Sequence, residues 1–191
     1  MTANVKFAKV RPDAKIPSKR VEDMGFDIYA CFDEDYIKIG PNETKLIPTG
    51  IASSCDAGYG FVLRERGSTG SKGIALRAGV IDSGYRNEWF VGLTNTTNCT
   101  LYISKLSKKE IVDMEYNAGG ELAKGFDTLF GSLCSIKDNL EKTTMVYPYS
   151  KAIVQALVIP VPEVEVEELS YEDLQAIPSE RGLGALGSSG K

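Results

Sequence analysis

From Val5 to about Leu101 the chain is written in short apolar runs, each closed within a few residues by turn formers. "VKFAKV", "DIYACF", "YIKIG", "TKLIPTGIA", "GFVLRE", "IALRAGVI", "EWFVGLTN" and "TLYIS" follow one another. Pro41-Asn42, Asp56-Ala57-Gly58 and Asn95-Thr96-Thr97-Asn98 punctuate them. Many strands at short spacing with little helix signal predict an all-β barrel or sandwich. At 191 residues the chain has material for one domain, 1–191, with a sizeable core.

The text changes between Ser104 and Met145. Ser107-Lys108-Lys109-Glu110 has the capping-box form, a hydroxyl at the N-cap and Glu at N3. After Gly119-Gly120, apolar residues recur at Leu122, Phe126, Leu129, Phe130, Leu133, Ile136 and Leu140, in helical steps of three and four. Gly125 and Gly131 weaken the pattern. The expectation is two helices joined at 117–120 and inserted into the β domain at 104–145, packing on its side or offering a partner surface. Strand text resumes with "AIVQALVIPVPEVEVEEL", whose Val-Glu end reads as a solvent-edged strand or an extended tail. "SYEDLQ" fits one helical turn. The Gly-rich end, 178–191, is either a disordered tail or an arm that orders over a ligand.

Composition removes whole classes of chemistry. There is no histidine, which excludes Ser-His-Asp and Cys-His nucleophile systems and H-E-x-x-H zinc sites. Acid–base work falls to carboxylates, Lys, Tyr, Cys or bound water. Cys31, Cys55, Cys99 and Cys134 form no C-x-x-C, so they read as buried or incidental thiols. The net charge of −4 argues against broad nucleic-acid binding. No apolar run approaches the ~18 residues of a membrane span, and "MTANVKFAKVRPDAK" lacks a signal-peptide core. The chain is therefore expected to be soluble, in the cytoplasm and away from membranes.

"AGVIDSGYRNEWFVGL", residues 78–93, sets a carboxylate and a tyrosine three residues apart, around a Gly, between two apolar runs. Asp82 there can cap a turn, or it can serve as a fixed base. Together with four other segments it resembles the trimeric dUTPase family. "MGFDIYA" (24–30) is similar to the family's Ala-Gly-x-Asp-Leu-x-Ala, and "RERGSTGSKGI" (64–74) to its second motif. "AGVIDSGYRNEW" is similar to Gly-x-Ile-Asp-x-x-Tyr-x-Gly. "AIVQALVIP" (152–160) and "RGLGALGSSG" (181–190) resemble the fourth and fifth motifs, in the family's order.

The resemblance implies a jelly-roll-like β-barrel subunit in a homotrimer with active sites shared between subunits. It implies hydrolysis of dUTP to dUMP and pyrophosphate with Mg²⁺, which keeps uracil out of DNA and supplies dUMP. Asp82 would hold the attacking water at the α-phosphorus. Tyr85 would lie against the deoxyribose and exclude a 2′-hydroxyl. The backbone of Gly79, Val80 and Ile81 would pair with uracil. Arg66, Gly67, Ser68 and Lys72 sit in a Gly-punctuated loop suited to phosphates. Gln155 on its apolar strand would hold a phosphate-linked water, and Arg181 would close onto the phosphates from the arm. Asp27 would hold Mg²⁺ through water. Taken singly, Asp27 is a polar residue at a strand edge, Tyr85 partial core and Arg181 a solvated surface charge.

Three departures stand out. Gly67 replaces the first serine of the second motif, Leu186 replaces the aromatic lid residue, and Asn87 replaces a glycine. Asn tolerates positive φ, so that turn is expected to survive. The related dCTP deaminases carry a catalytic Glu ten residues after the Asp, where this chain has Gly92. Phage members of the family use an added segment to capture a repressor. The 104–145 insertion could thus meet a regulatory protein partner, with or without activity. A His-free chain with such an insertion points to phage or bacterial origin.

Overall fold

The computed structural model describes residues 3–130, 135–180 and 182. Along the chain run β1 (Val5–Lys9), β2 (Phe26–Ile28), β3 (Tyr36–Ile39), β4 (Thr44–Pro48), β5 (Ile51–Cys55) and β6 (Tyr59–Glu65). A single turn, α1 (Gly67–Gly70), precedes β7 (Ile74–Arg77), β8 (Val80–Ile81), β9 (Phe90–Asn95) and β10 (Thr100–Ser104). The inserted helices are α2 (Lys108–Ala118), α3 (Gly120–Phe130) and α4 (Ile136–Thr143). β11 (Thr144–Pro148), β12 (Val154–Pro160) and α5 (Tyr171–Ala176) complete the order.

The strands form four small sheets, ordered β1-β5, β11-β10-β3, β2-β12-β6-β8 and β4-β9-β7. The expected all-β class is what is seen, with the strands divided among open sheets in place of one closed barrel. Inward-facing side chains of these sheets meet in one core. Trp89 is fully buried, with its ring 5.0 Å from Phe61 and 5.9 Å from Phe7. Ile28, Ile39, Ile47, Val91, Leu101, Ile103 and Val154 surround them.

Asn95 is the polar hub of this core. Its side-chain N–H₂ donates to the carbonyls of Ile39 (3.1 Å), Gly40 (3.2 Å) and Cys99 (2.7 Å). Its Oδ1 accepts from the Thr97 amide at 3.1 Å and hydroxyl at 2.8 Å. A buried amide with donors and acceptor all matched costs little and fixes one geometry. It locks the turn after β3 to the turn between β9 and β10.

The insertion differs from expectation in two ways. It carries a third helix, because Ser135 caps a fresh start, its side chain accepting from the Asp138 amide. Asp127 of α3 accepts from the Ile136 amide at 2.6 Å, turning a carboxylate into the positive end of α4. The apolar steps continue past this break and hide it from a periodicity reading; Leu133 lies outside the described residues. The second difference is β11, which pairs in parallel with β10, Leu101 opposite Met145. Parallel neighbours cannot be joined by a tight turn and need a crossover, commonly helical. Helices α2 to α4 are that crossover, so the insertion belongs to the sheet it interrupts.

Ile111 and Val112 of α2 are fully buried. Glu115 accepts from the Tyr102 hydroxyl at 2.6 Å and from Lys38 Nζ at 2.8 Å, tying α2 to β10 and β3. Burial pushes the Glu115 carboxyl up, but the Lys38 and Tyr102 donors outweigh it and leave it below its ordinary 4.5. Burial, with Glu115 beside it, pushes the Tyr102 hydroxyl up to about 12.

The described residues fall into two units divided after Val161. In the second, the Val-Glu stretch is exposed, and among the described residues no strand follows Pro160. Ser170 caps α5 by accepting from the Asp173 amide at 3.1 Å, as the sequence predicts for "SYEDLQ". Of the arm expected at 178–191, only 178–180 and 182 are described, so Arg181 and Leu186 lie outside the described residues.

Glu115→Gln removes the charge that the Lys38 ammonium faces. It is expected to lower stability by about 1–2 kcal/mol at neutral pH. A depressed carboxyl contributes stability above its unfolded pKa and loses it as pH falls through the folded value. Urea titrations of wild type and variant should therefore converge below about pH 4.5. Curves that stay parallel in acid would remove Glu115 from this role.

Candidate active site

Two groups of expected site residues sit on one sheet. The first gathers where β6 runs into α1. The Thr69 hydroxyl accepts from the Arg66 amide at 3.1 Å and donates to the Arg66 carbonyl at 3.0 Å, fixing the backbone there. The Arg66 guanidinium grips Asp27 with two contacts, Nε to Oδ1 at 3.0 Å and Nη2 to Oδ2 at 3.3 Å. Both side chains are about a third exposed, 32% and 33%. Strand pairing sets up this meeting: Gln155 of β12 stands opposite Asp27 of β2 on one side and opposite Arg64 of β6 on the other.

Gln155 is half-buried, and its Nε2 donates to the Glu65 carbonyl at 2.9 Å. The partner that its position demands is thus a backbone group of β6. Its Oε1 faces Gly25, where an added Cβ would come within 3.0 Å, so the small residue gives the amide its room. Ser68 is exposed, with its hydroxyl 3.3 Å from the Tyr147 hydroxyl. Tyr147 in turn donates to the Ala152 carbonyl at 2.7 Å. Lys72 Nζ lies 5.7 Å from the centre of the same ring. Gly67 has open space where a side chain would stand, so packing does not demand a glycine there.

Of these residues Asp27, Arg66 and Gln155 open on a cleft of 660 Å³, lined among others by Lys19, Arg20, Asp23, Asp27, Arg66 and Gln155. Sequence reasoning missed the first three of these, and Tyr147. The charged run "SKRVED" directly before "MGFDIYA" was the available signal for the loop residues. Tyr147 gave none, because β11 itself went unread.

The second group is the turn after β8. Ala78 and Gly79 take φ of 62° and 128°, breaking "IALRAGVI" into β7 and β8 where one run is expected. The Gly79 carbonyl accepts from the Leu63 amide at 2.7 Å, and Phe61 and Val62 pair with Ile81 and Val80. The Asp82 carbonyl accepts from the Tyr85 amide at 3.1 Å. The backbone therefore makes the turn bond, and Asp82 is exposed. Tyr85 is 37% exposed, its hydroxyl donating to the Glu88 carbonyl at 3.1 Å. Arg86 Nη1 donates to the Ser83 carbonyl at 2.5 Å and braces the turn from below. Asn87 does not take positive φ, so the tolerance expected of it is not called on.

The two groups stand apart within one chain. Extending the β6–β8 register sets Asp82 opposite Gly60, whereas Arg66 follows the far end of β6. At about 3.4 Å per residue the stretch from Gly60 to Arg66 spans about 20 Å. Asp27 lies on β2, at the opposite edge of the sheet from β8.

For a divalent cation, the Arg66 end of the cleft offers the Asp27 carboxylate. Among the described residues no cluster of three or more metal-ligating side chains occurs. One carboxylate suits Mg²⁺ held through its waters beside a phosphate chain, as that ion commonly is.

Gly79→Ala brings a Cβ within 3.1 Å of Leu63 Cβ and 3.2 Å of Leu76 Cδ2, at a φ that L-residues avoid. The substitution is expected to lower stability by about 1–3 kcal/mol, read from denaturant midpoints. An unchanged midpoint would show that the turn does not require glycine.

The family model for dUTPase matches residues 13–108. The deoxyuridine 5'-triphosphate nucleotidohydrolase of Nautilia profundicola is 30% identical, with 98% of this chain and 99% of that protein aligned. The protein of the same name from Janthinobacterium sp. (strain Marseille) is 34% identical over 66% of this chain and 89% of its own. Among solved structures, the Staphylococcus bacteriophage 80alpha dUTPase with dUpNHpp matches at TM-score 0.65 and 19% identity, covering 98% of this chain and 99% of that one. The dUTPase from phage phi11 of S. aureus, described for its species-specific insert, matches at TM-score 0.58 and 16% identity, covering 87% and 96%. The structural likeness is one of fold, a jelly-roll-like arrangement of sheets.

Proposed function

The chain belongs to the dUTPase family, and from that premise we propose that it hydrolyses dUTP to dUMP and pyrophosphate. The observation that carries the reading is one sheet with an exposed carboxylate turned out at one end and a two-contact Asp–Arg pair at the other.

Asp82 holds a water and takes its proton as the oxygen attacks the α-phosphorus, with pyrophosphate leaving in line. Its exposure on a braced turn supports that role, since a base must reach a water and keep its aim. β8 is an edge strand. Gly79 turns its carbonyl to β6, so by alternation the Val80 N–H and C=O point to the open edge. A donor and an acceptor fixed side by side match the edge of uracil and oppose that of cytosine. Tyr85, three residues after Asp82, meets the sugar. Arg66, Ser68 and Gln155 take the phosphates, and Arg181 and Leu186 complete the set from the arm. Mg²⁺, held by Asp27 through water, would neutralise phosphate charge when bound.

The span of about 20 Å between Asp82 and Arg66 supports a site completed by neighbouring copies, as in a homotrimer. In this reading one subunit supplies the β8 turn and another the Asp27–Arg66 cleft. No helix among the described residues is long and apolar enough to cross a membrane. A second reading, in which activity is weak and the insertion holds a protein partner, draws support from Leu122 (85% exposed) and Leu129 (75% exposed) on α3.

Purified protein with Mg²⁺ should release pyrophosphate from dUTP and leave dCTP, UTP and dTTP intact. Asp82→Asn is expected to lower kcat at least about 10³-fold with dUTP binding retained. Substantial turnover by that variant would unseat Asp82 as base. Inertness of wild type on all four nucleotides would shift support to the second reading. Sedimentation should give the mass of three chains.

A further inference from the structure

A second guanidinium–carboxylate pair stands in the same cleft, on residues that the family motifs do not include. Arg20 donates to Asp23 through Nε at 2.9 Å and Nη2 at 2.9 Å. The Arg20 amide also meets Asp23 Oδ2 at 3.2 Å, and the Asp23 amide returns to the Arg20 carbonyl at 3.2 Å. Lys19 Nζ clasps the turn from outside, donating to the Asp23 carbonyl at 2.7 Å and the Arg20 carbonyl at 3.3 Å. Side chain and backbone together hold Arg20 in one orientation.

The arrangement repeats that of Arg66. Each guanidinium spends its Nε and one Nη2 hydrogen on a carboxylate, Asp23 for Arg20 and Asp27 for Arg66. Each therefore keeps its Nη1 edge for something else, and both line the same 660 Å³ cleft. They differ in exposure. The Arg20 side chain is 87% exposed, against 32% for Arg66. A structural ion pair that open to solvent contributes little to stability. A guanidinium pre-set by a carboxylate and open to solvent is suited to an anion with several oxygens.

A triphosphate is long compared with the reach of one arginine. Arg66 and Gln155 stand at the β6 end of the cleft, and the 18–24 loop forms another wall. We propose that Arg20 is a further substrate-binding residue, contacting the terminal phosphates of the nucleotide, with Asp23 as its positioning residue. The proposal rests on the dUTP reading of this site and adds a residue outside the family's motifs.

The test separates phosphate contact from a structural role. Arg20→Gln should raise KM for dUTP about tenfold and leave kcat within about twofold, with Arg20→Lys in between. By calorimetry, Arg20→Gln should weaken binding of Mg²⁺-pyrophosphate to a similar extent. Inhibition by dUMP, which lacks the terminal phosphates, should not change. Unchanged dUTP KM and pyrophosphate affinity would overturn the proposal, as would equal losses for dUTP and dUMP. If wild type failed to hydrolyse dUTP, the enzymatic reading would fall. The pyrophosphate titration of wild type against Arg20→Gln would still decide the role of Arg20.

Discussion

Strand β6 is hydrogen-bonded on both sides, to β12 and to β8, and this double pairing fixes the site. The β12 side carries Gln155, and through it β2 with Asp27. The β8 side ends in the turn that exposes Asp82. Register in a sheet is quantised, and a slip of one residue would send every side chain to the other face. The buried Phe61 and Leu63 on β6 forbid such a slip. Core packing thereby sets the separation of Asp82 from the Asp27–Arg66 cleft.

The insertion shows how an apparently added segment becomes obligatory. Once β11 pairs in parallel with β10, some crossover must exist. Ile111, Val112 and the Tyr102–Glu115–Lys38 contacts bind this one to the sheet. β11 also places Tyr147, whose hydroxyl stands between Ser68 and the Ala152 carbonyl. The helices thus reach the Gly67–Gly70 turn indirectly, through the strand they deliver. Their outer face, with Leu122 and Leu129, is free of that duty and open to another use.

Much of this was legible in the sequence, and the failures have physical causes. Strand text between Val5 and Leu101 could be read because each strand buries one face and ends in turn formers. "IALRAGVI" misled because Ala78 takes positive φ without any sequence sign of it. β11 went unread because "TMVYP" follows a helix directly, with no Gly, Pro or Asn to separate the two periods. Asp82, Arg66 and Asp27 stand out as candidates through their motifs, but the roughly 20 Å between Asp82 and Arg66 depends on long-range register, which a linear pattern does not carry. Arg20 was hidden for a different reason. A charged exposed loop is ordinarily just solvated, and only the closing of its fork on Asp23 beside the cleft sets it apart.

The place of β12 in its sheet has a consequence for synthesis. β12 lies between β2 and β6, yet it is made long after both. Until residues 154–160 leave the ribosome, the facing edges of those two strands have no partner, and the crossover helices must emerge before them. A nascent chain therefore carries exposed ladder groups through most of its translation, the condition under which strands recruit strangers. Chaperone demand should end abruptly with the arrival of this strand, and a message truncated shortly before it would yield aggregate instead of a smaller folded protein.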